Sequence, residues 1–99
     1  MDIKKIAVCG TLESSDCMVT VEPGTNGIEF ELDSAVIRQY GKQITKVTYE
    51  TLERLGVKNA KVRMIDKGAL DCTIKARVEG AVFRASEHEG KIDWGGAVR

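Results

Sequence analysis

Two segments with alternating apolar and polar residues flank the proline of this 99-residue chain. Apolar side chains occupy every second position in residues 17–22 and again in residues 28–33. A period of two places such side chains on one face of a β-strand. Residues 23–27 between them read Pro-Gly-Thr-Asn-Gly, a composition typical of turns. We therefore expect the two segments to form a β-hairpin.

The rest of the chain divides into further strands and helices. Residues 3–9 predict a weaker strand, and the alternation in residues 60–66 predicts another. Apolar residues at helical spacing predict a helix from Val36 to Leu55, with Asp33 or Ser34 as its cap and Gly56 at its end.

Residues 69–86 fit two patterns. Leu70, Ile74 and Val78 belong both to a strand-like alternation and to a helical stripe that continues through Ala81, Val82 and Ala85. Strands usually have about 3–10 residues, so the length of this segment favours a helix. The resulting fold class is α+β, with the order β-β-β-α-β-α. We expect a small, mainly antiparallel β-sheet with two helices packed on one face.

Domain organisation follows from length. A chain of this size supports one domain, which we place at residues 1–86. Residues 87–99 are rich in glycine and charge and are expected to form a partly ordered C-terminal tail.

Charge and hydropathy exclude several classes of partner. Fifteen basic and fifteen acidic residues give a formal net charge of zero, which argues against a nucleic-acid binder. No apolar run approaches the roughly 20 residues that cross a bilayer, and the N-terminus lacks the features of a signal peptide. A cytoplasmic protein without membrane contact is expected.

No catalytic or metal-binding constellation is visible. The cysteines Cys9, Cys17 and Cys72 contain no C-x-x-C pair, so three small buried thiols are expected rather than a metal site or disulfides. His88 is expected to be a solvated surface residue. The carboxylates of Glu29, Glu31 and Asp33 are expected on a solvated outer strand face.

The segment between the first two strand candidates, residues 9–17, is expected to form an exposed loop. It presents the hydroxyls of Ser14 and Ser15 beside Asp16. One interpretation is a turn whose side chains bond to local amides. The other is a covalent modification site.

Two motifs resemble the citrate lyase acyl carrier protein family. Residues 10–14 read Gly-Thr-Leu-Glu-Ser, and residues 66–72 read Asp-Lys-Gly-Ala-Leu-Asp-Cys. Residues 75–79 and 84–86 also fit, so the similarity spans roughly residues 6–86, while the tail matches poorly. The family usually has Glu-Ser-Gly-Asp where this chain has Ser15 in place of the glycine.

The resemblance implies a non-catalytic carrier subunit. Ser14 would carry a phosphoribosyl-dephospho-coenzyme A arm through a phosphodiester, and the arm's thiol would hold an acetyl group. The alpha subunit would exchange acetyl for citryl, and the beta subunit would cleave the citryl thioester to oxaloacetate. A prosthetic-group transferase is the further partner implied, and no metal is.

Two alternatives stay open from the residues. One is the carrier subunit of malonate decarboxylase, which uses the same kind of arm. The other is a small α+β binding module without a prosthetic group.

Overall fold

The computed structural model describes residues 2–34 and 37–86, and for Ile37 it describes the backbone alone. They form four strands and two helices in the expected β-β-β-α-β-α order. The bounds are β1 Ala7–Gly10, β2 Cys17–Pro23, β3 Ile28–Ser34, α1 Ile37–Arg54, β4 Ala60–Asp66 and α2 Asp71–Ala85. The tail at residues 87–99, including His88, lies outside the described residues.

The four strands form one sheet in the order β1-β2-β4-β3. β4 is antiparallel to β2 and parallel to β3, and β1 is antiparallel to β2. The sheet is therefore mainly antiparallel, as expected. The predicted hairpin is wrong, because β4 lies between β2 and β3. Alternation assigns side chains to the faces of a strand, but it does not select the neighbouring strand.

The connection between β2 and β3 passes the first residue of β4. Ala60 pairs with Pro23 on one side and with Ile28 on the other. Its N–H also donates to the carbonyl oxygen of Gly27 at 3.0 Å. A Cβ at Gly24 would lie 3.0 Å from the carbonyl carbon of Ala60, so a larger residue would push the two backbones slightly apart.

Both helices pack on one face of the sheet and bury a single core. Alternate strand residues such as Val19 and Met64 point into it, and the helices contribute Leu52, Ile74 and Val82. At roughly 25 cal/mol per Å² of buried apolar surface, this face provides the main stabilisation of the fold. The opposite face is polar, and Glu29, Glu31 and Asp33 are exposed on it as expected.

The helix ends differ from the predicted ones by one or two residues. Asp33 and Ser34 belong to β3 rather than to the start of α1, because the strand continues until Ser34 pairs with Asp66. Gly56 follows α1 with a φ of 72°, a conformation that glycine adopts without strain. α2 confirms the helical interpretation of residues 69–86. No helix among the described residues combines the length and apolarity needed to span a membrane.

Candidate functional site: the Ser14 turn

Three chain connections meet at one end of the sheet. Cys17, Asp66 and Ser34 lie side by side in neighbouring strands. The loop before β2, the loop after β4 and the segment that leads into α1 therefore all leave the sheet at this edge. The first turns of both helices lie at the same end of the molecule as residues 11–16.

Ser14 and Ser15 are the central residues of a β-turn. The N–H of Asp16 donates to the carbonyl oxygen of Glu13 at 3.2 Å, which closes the turn. Ser15 has a φ of 64°, so its backbone adopts the left-handed conformation that L-residues other than glycine, asparagine and aspartate rarely take. The positive φ explains why the family that this sequence resembles usually has a glycine at this position.

Asp16 holds this turn to the body of the protein. Arg77 of α2 donates to both of its carboxylate oxygens, from Nε to Oδ1 at 3.0 Å and from an Nη to Oδ2 at 2.8 Å. Thr11 donates its hydroxyl to Oδ2, and the N–H of Cys17 donates to Oδ1, both at 2.7 Å. The bonds from Arg77 and then Thr11 hold the pKa of Asp16 well below its usual range, and the same pairing raises the pKa of Arg77.

Backbone hydrogen bonds to Lys67 also fix the position of the turn. The N–H of Ser15 donates to the carbonyl oxygen of Lys67 at 2.8 Å, and the N–H of Lys67 donates to that of Asp16 at 2.9 Å. Gly10, with a φ of 109°, begins the loop, and a Cβ there would lie 1.9 Å from the carbonyl oxygen of Cys17. The pairing of Gly10 with Met18 and the bonds to Lys67 anchor the loop at both of its ends.

Asp66 orders the neighbouring connection. Its buried carboxylate accepts a hydrogen bond from the hydroxyl of Ser34 at 2.9 Å and another from the N–H of Ala69 at 3.0 Å. These bonds shape a turn that leads from β4 into α2. The role of Asp66 is to shape the loop between β4 and α2.

The two serine hydroxyls are both exposed, as expected. Among the described residues, neither hydroxyl takes part in a hydrogen bond. The two residues differ in their backbones, since Ser15 is bonded to Lys67 and has a positive φ, whereas Ser14 has neither constraint. Ser14 thus offers a free primary hydroxyl on a fixed frame, which fits covalent attachment of a prosthetic group.

The cysteines correct one expectation. Cys9 and Cys17 are buried, and burial, with a smaller contribution from Asp16, raises the pKa of Cys17 to about 12, so it stays a thiol. Cys72 is exposed in the first turn of α2, not buried as expected. Within the described part of the chain, no group of three or more metal-ligating side chains could hold a metal ion.

Sequence reasoning found Ser14 and Asp16 but missed the groups that hold them. Arg77 lies 61 residues from Asp16, and Lys67 contributes only its backbone to the turn. No local pattern indicates such contacts. The signal that was available is the pair of motifs, because residues 10–14 and 66–72 lie together at this edge of the sheet.

Comparison with known proteins defines the class of this molecule. Residues 4–85 match the family model described as "ACP: Malonate decarboxylase delta subunit (MdcD)". A crystal structure of a Pseudomonas malonate decarboxylase hetero-tetramer in complex with malonate contains a chain with the same fold. That chain has a TM-score of 0.72 and 19% sequence identity, over 84% of this chain and 86% of the other. The chain therefore belongs to an acyl carrier protein family and shares the fold of that solved chain.

Curated relatives then identify the particular family. The citrate lyase acyl carrier protein of Streptococcus mutans is 59% identical over 95% of this chain and 92% of its own length. The protein of Clostridium perfringens is 55% identical over 96% of this chain and 94% of its own length. The protein of Lactobacillus helveticus is 54% identical over 94% of this chain and 96% of its own length. The chain belongs to the citrate lyase acyl carrier protein family.

Proposed function

We propose that the protein is the acyl carrier subunit of a citrate lyase and that Ser14 bears its phosphoribosyl-dephospho-coenzyme A arm. The observation that carries this proposal is the exposed, unbonded hydroxyl of Ser14 on a turn that Asp16, Arg77 and Lys67 hold in place. When attached, the arm supplies a thiol that carries an acyl group as a thioester.

The chain contributes position rather than catalysis. A transferase must bring the Ser14 oxygen in line with a phosphorus atom, and a hydroxyl at the corner of an exposed turn can enter another protein's active site. The nearby Asp16 carboxylate is not free to act as a base, because Arg77 and Thr11 bond to it and lower its pKa. Acyl exchange and citrate cleavage are therefore left to the alpha and beta subunits.

Intact mass after modification tests the site. Protein treated with the prosthetic-group transferase and arm precursor should gain one adduct, and peptide mapping should place it on Ser14. Ser14→Ala should gain none and should support no citrate cleavage in the assembled complex. Its fold should persist, since an exposed substitution changes stability by only about 0.5 kcal/mol.

Ser15→Ala is the matched control, because it removes the neighbouring hydroxyl from the same turn. It should still accept the arm. An adduct on Ser15, or a fully loaded Ser14→Ala protein, would contradict the assignment.

The carrier of a malonate decarboxylase is the second candidate. The name of the matching family model and the solved Pseudomonas structure favour it. The identities of 54–59% to citrate lyase carriers outweigh the 19% identity to that structure. The two candidates separate when the loaded protein is assembled with either set of partner subunits and tested for turnover of citrate and of malonate.

A further inference from the structure

An apolar groove lies beside the Ser14 turn, between the first turns of the two helices. Residues 68–72 form one wall, and Tyr40, Gln43 and Ile44 of α1 form the other. Its volume is about 670 Å³, within the roughly 300–1,000 Å³ of small-molecule sites. Polar groups are few, and Gln43 donates to the Asp71 carboxylate at 2.9 Å across it.

Leu70 lies in this groove, where it contributes little to the stability of the fold. Its side chain is 70% exposed, so it contributes little to the core. It is also the N-cap residue of α2 and makes no side-chain capping bond, at a position where serine, threonine, asparagine and aspartate are preferred. Tyr40, on the facing helix, is 54% exposed. The apolar stripes of both helices thus continue past the core into this groove.

The groove is preformed and continuous with the Ser14 turn. Lys67 is bonded to Ser15 and Asp16, and the next residue, Gly68, already lines the groove. The bond from Ala69 to the buried Asp66 carboxylate fixes the wall between them. A flexible group attached at Ser14 therefore begins beside the groove.

We infer that this groove seats the pantetheine portion of the arm carried on Ser14, an inference that rests on the proposed function. Pantetheine is a slender chain of methylene, dimethyl and amide groups that ends in a thiol. Leu70, Tyr40 and Ile44 cover its apolar segments, and Gln43 and Asp71 are within the groove to bond its amides. Because the phosphoribosyl and adenosine diphosphate portions tether the pantetheine to Ser14, its binding to the groove is intramolecular, and even weak intrinsic affinity seats it between transfers.

Cys72 makes this seating measurable. It is exposed and lines the groove, so a seated arm places its thiol in reach of the Cys72 thiol. Treatment of the loaded protein with diamide joins the two sulfurs in a disulfide, and the two hydrogens pass to diamide. Intact mass follows the loss of two hydrogens, and peptide mapping locates the bond.

The informative variant is Leu70→Ser, which removes the apolar side chain, adds no charge beside Cys72 and suits an N-cap. Leu12→Ser is the matched control, because Leu12 is also exposed and lies two residues from Ser14 but outside the groove. Disulfide formation should be at least about tenfold slower in loaded Leu70→Ser than in the loaded wild-type protein, and unchanged in Leu12→Ser. The unloaded variants, treated with oxidised glutathione, show whether the intrinsic reactivity of Cys72 is the same.

Amide resonances provide the second measurement. On loading, the signals of residues 68–72 and of Tyr40 and Gln43 should shift in the wild-type protein and in Leu12→Ser, but not in Leu70→Ser. Equal disulfide rates in all three proteins, or no shifts at these residues, would overturn the inference and leave Ser14 as the attachment site. Shifts that appear only with rising protein concentration would assign the groove to a second copy instead. An adduct away from Ser14 would instead refute the part of the proposed function that places the arm on Ser14.

Discussion

The two ends of the sheet are built from different kinds of contact. At the end that carries Ser14, a single carboxylate, Asp16, joins the loop to α2 through Arg77, and large apolar side chains such as Leu70 are exposed. At the opposite end, backbone groups and small side chains close the fold. There Asn59 accepts a hydrogen bond from the N–H of Gly27 at 2.9 Å, and Gly27 accepts one from Ala60.

This difference separates an end that is closed by backbone contacts from an end that leaves reactive and apolar groups exposed. At the opposite end, Ala60 is fully buried between β2 and β3. The Ser14 end retains exposed hydroxyl, thiol and apolar groups on a frame that a few polar bonds stabilise. Three sets of substitutions test the contrast, and they follow in order of decreasing expected effect.

The first set compares a glycine from each end. Gly10 and Gly27 both have a positive φ, but a Cβ at Gly10 would collide with Cys17, whereas one at Gly27 meets nothing within 4 Å. Gly10→Ala should lower the free energy of unfolding by about 4 kcal/mol, and Gly27→Ala by about 1 kcal/mol. Urea denaturation of both variants measures the difference. Equal losses would show that backbone conformation alone, and not the approach of Cys17, requires the glycine.

The second test breaks the ion pair of the Ser14 end. Arg77→Met should cost about 2 kcal/mol at pH 7, because it removes two charge-assisted bonds to Asp16. The pKa of Asp16 is lower in the folded protein than the value of about 3.9 in unfolded chains. The stability from the pair is therefore complete above that value and is lost as the pH falls below it. The gap between wild type and variant should shrink from pH 5 to pH 2.

Lys46→Met is the control for this test. Lys46 and Glu50 form an exposed pair with N···O at 3.9 Å, and such pairs contribute less than about 1 kcal/mol. Urea unfolding at several pH values should show a small effect for Lys46→Met and a large, pH-dependent one for Arg77→Met. A gap that stays constant down to pH 2 would contradict the role given to Asp16.

The smallest expected effect concerns the backbone of the turn. Ser15→Gly should raise the free energy of unfolding by about 0.5 kcal/mol, since relief of the positive φ exceeds the entropy cost of glycine. Ser14→Gly, whose φ is not positive, should lower stability by about the same amount. Thermal unfolding of the two variants therefore tests which serine has the positive φ, because the two changes in stability should have opposite signs. A stabilised Ser14→Gly protein would argue against it.

Sequence periodicity, with segment length deciding for residues 69–86, identified the strands and helices of the described residues but not how the strands are arranged. It placed β2 and β3 correctly and paired them wrongly, because the partner of both is β4, which follows α1. It also assigned Leu70 to a buried stripe and Cys72 to the interior. Leu70 is the N-cap residue of α2 and Cys72 lies in its first turn, where the helix extends beyond the sheet that covers its later turns.

In the candidate site, too, the local sequence predicts some features, whereas others depend on how the elements pack. The exposure of Ser14 follows from a short polar loop between two strands, which is local information. The pairing of Asp16 with Arg77 depends on how α2 crosses β1 and β2, and no spacing in the sequence encodes that geometry. The positive φ of Ser15 could be anticipated only from the glycine that the resembling family carries there.

The insertion of β4 between β2 and β3 also sets the order of events during synthesis. The contact of Asp16 with Arg77 spans 61 positions, and Lys67 must be present before the Ser15 amide finds its acceptor. Contacts between distant positions form late, after the chain has met the entropy cost of closing the intervening loop. A nascent chain whose α2 segment has not yet left the ribosome therefore lacks an ordered serine turn. Completion of the chain thus precedes formation of the turn that we propose as the attachment site.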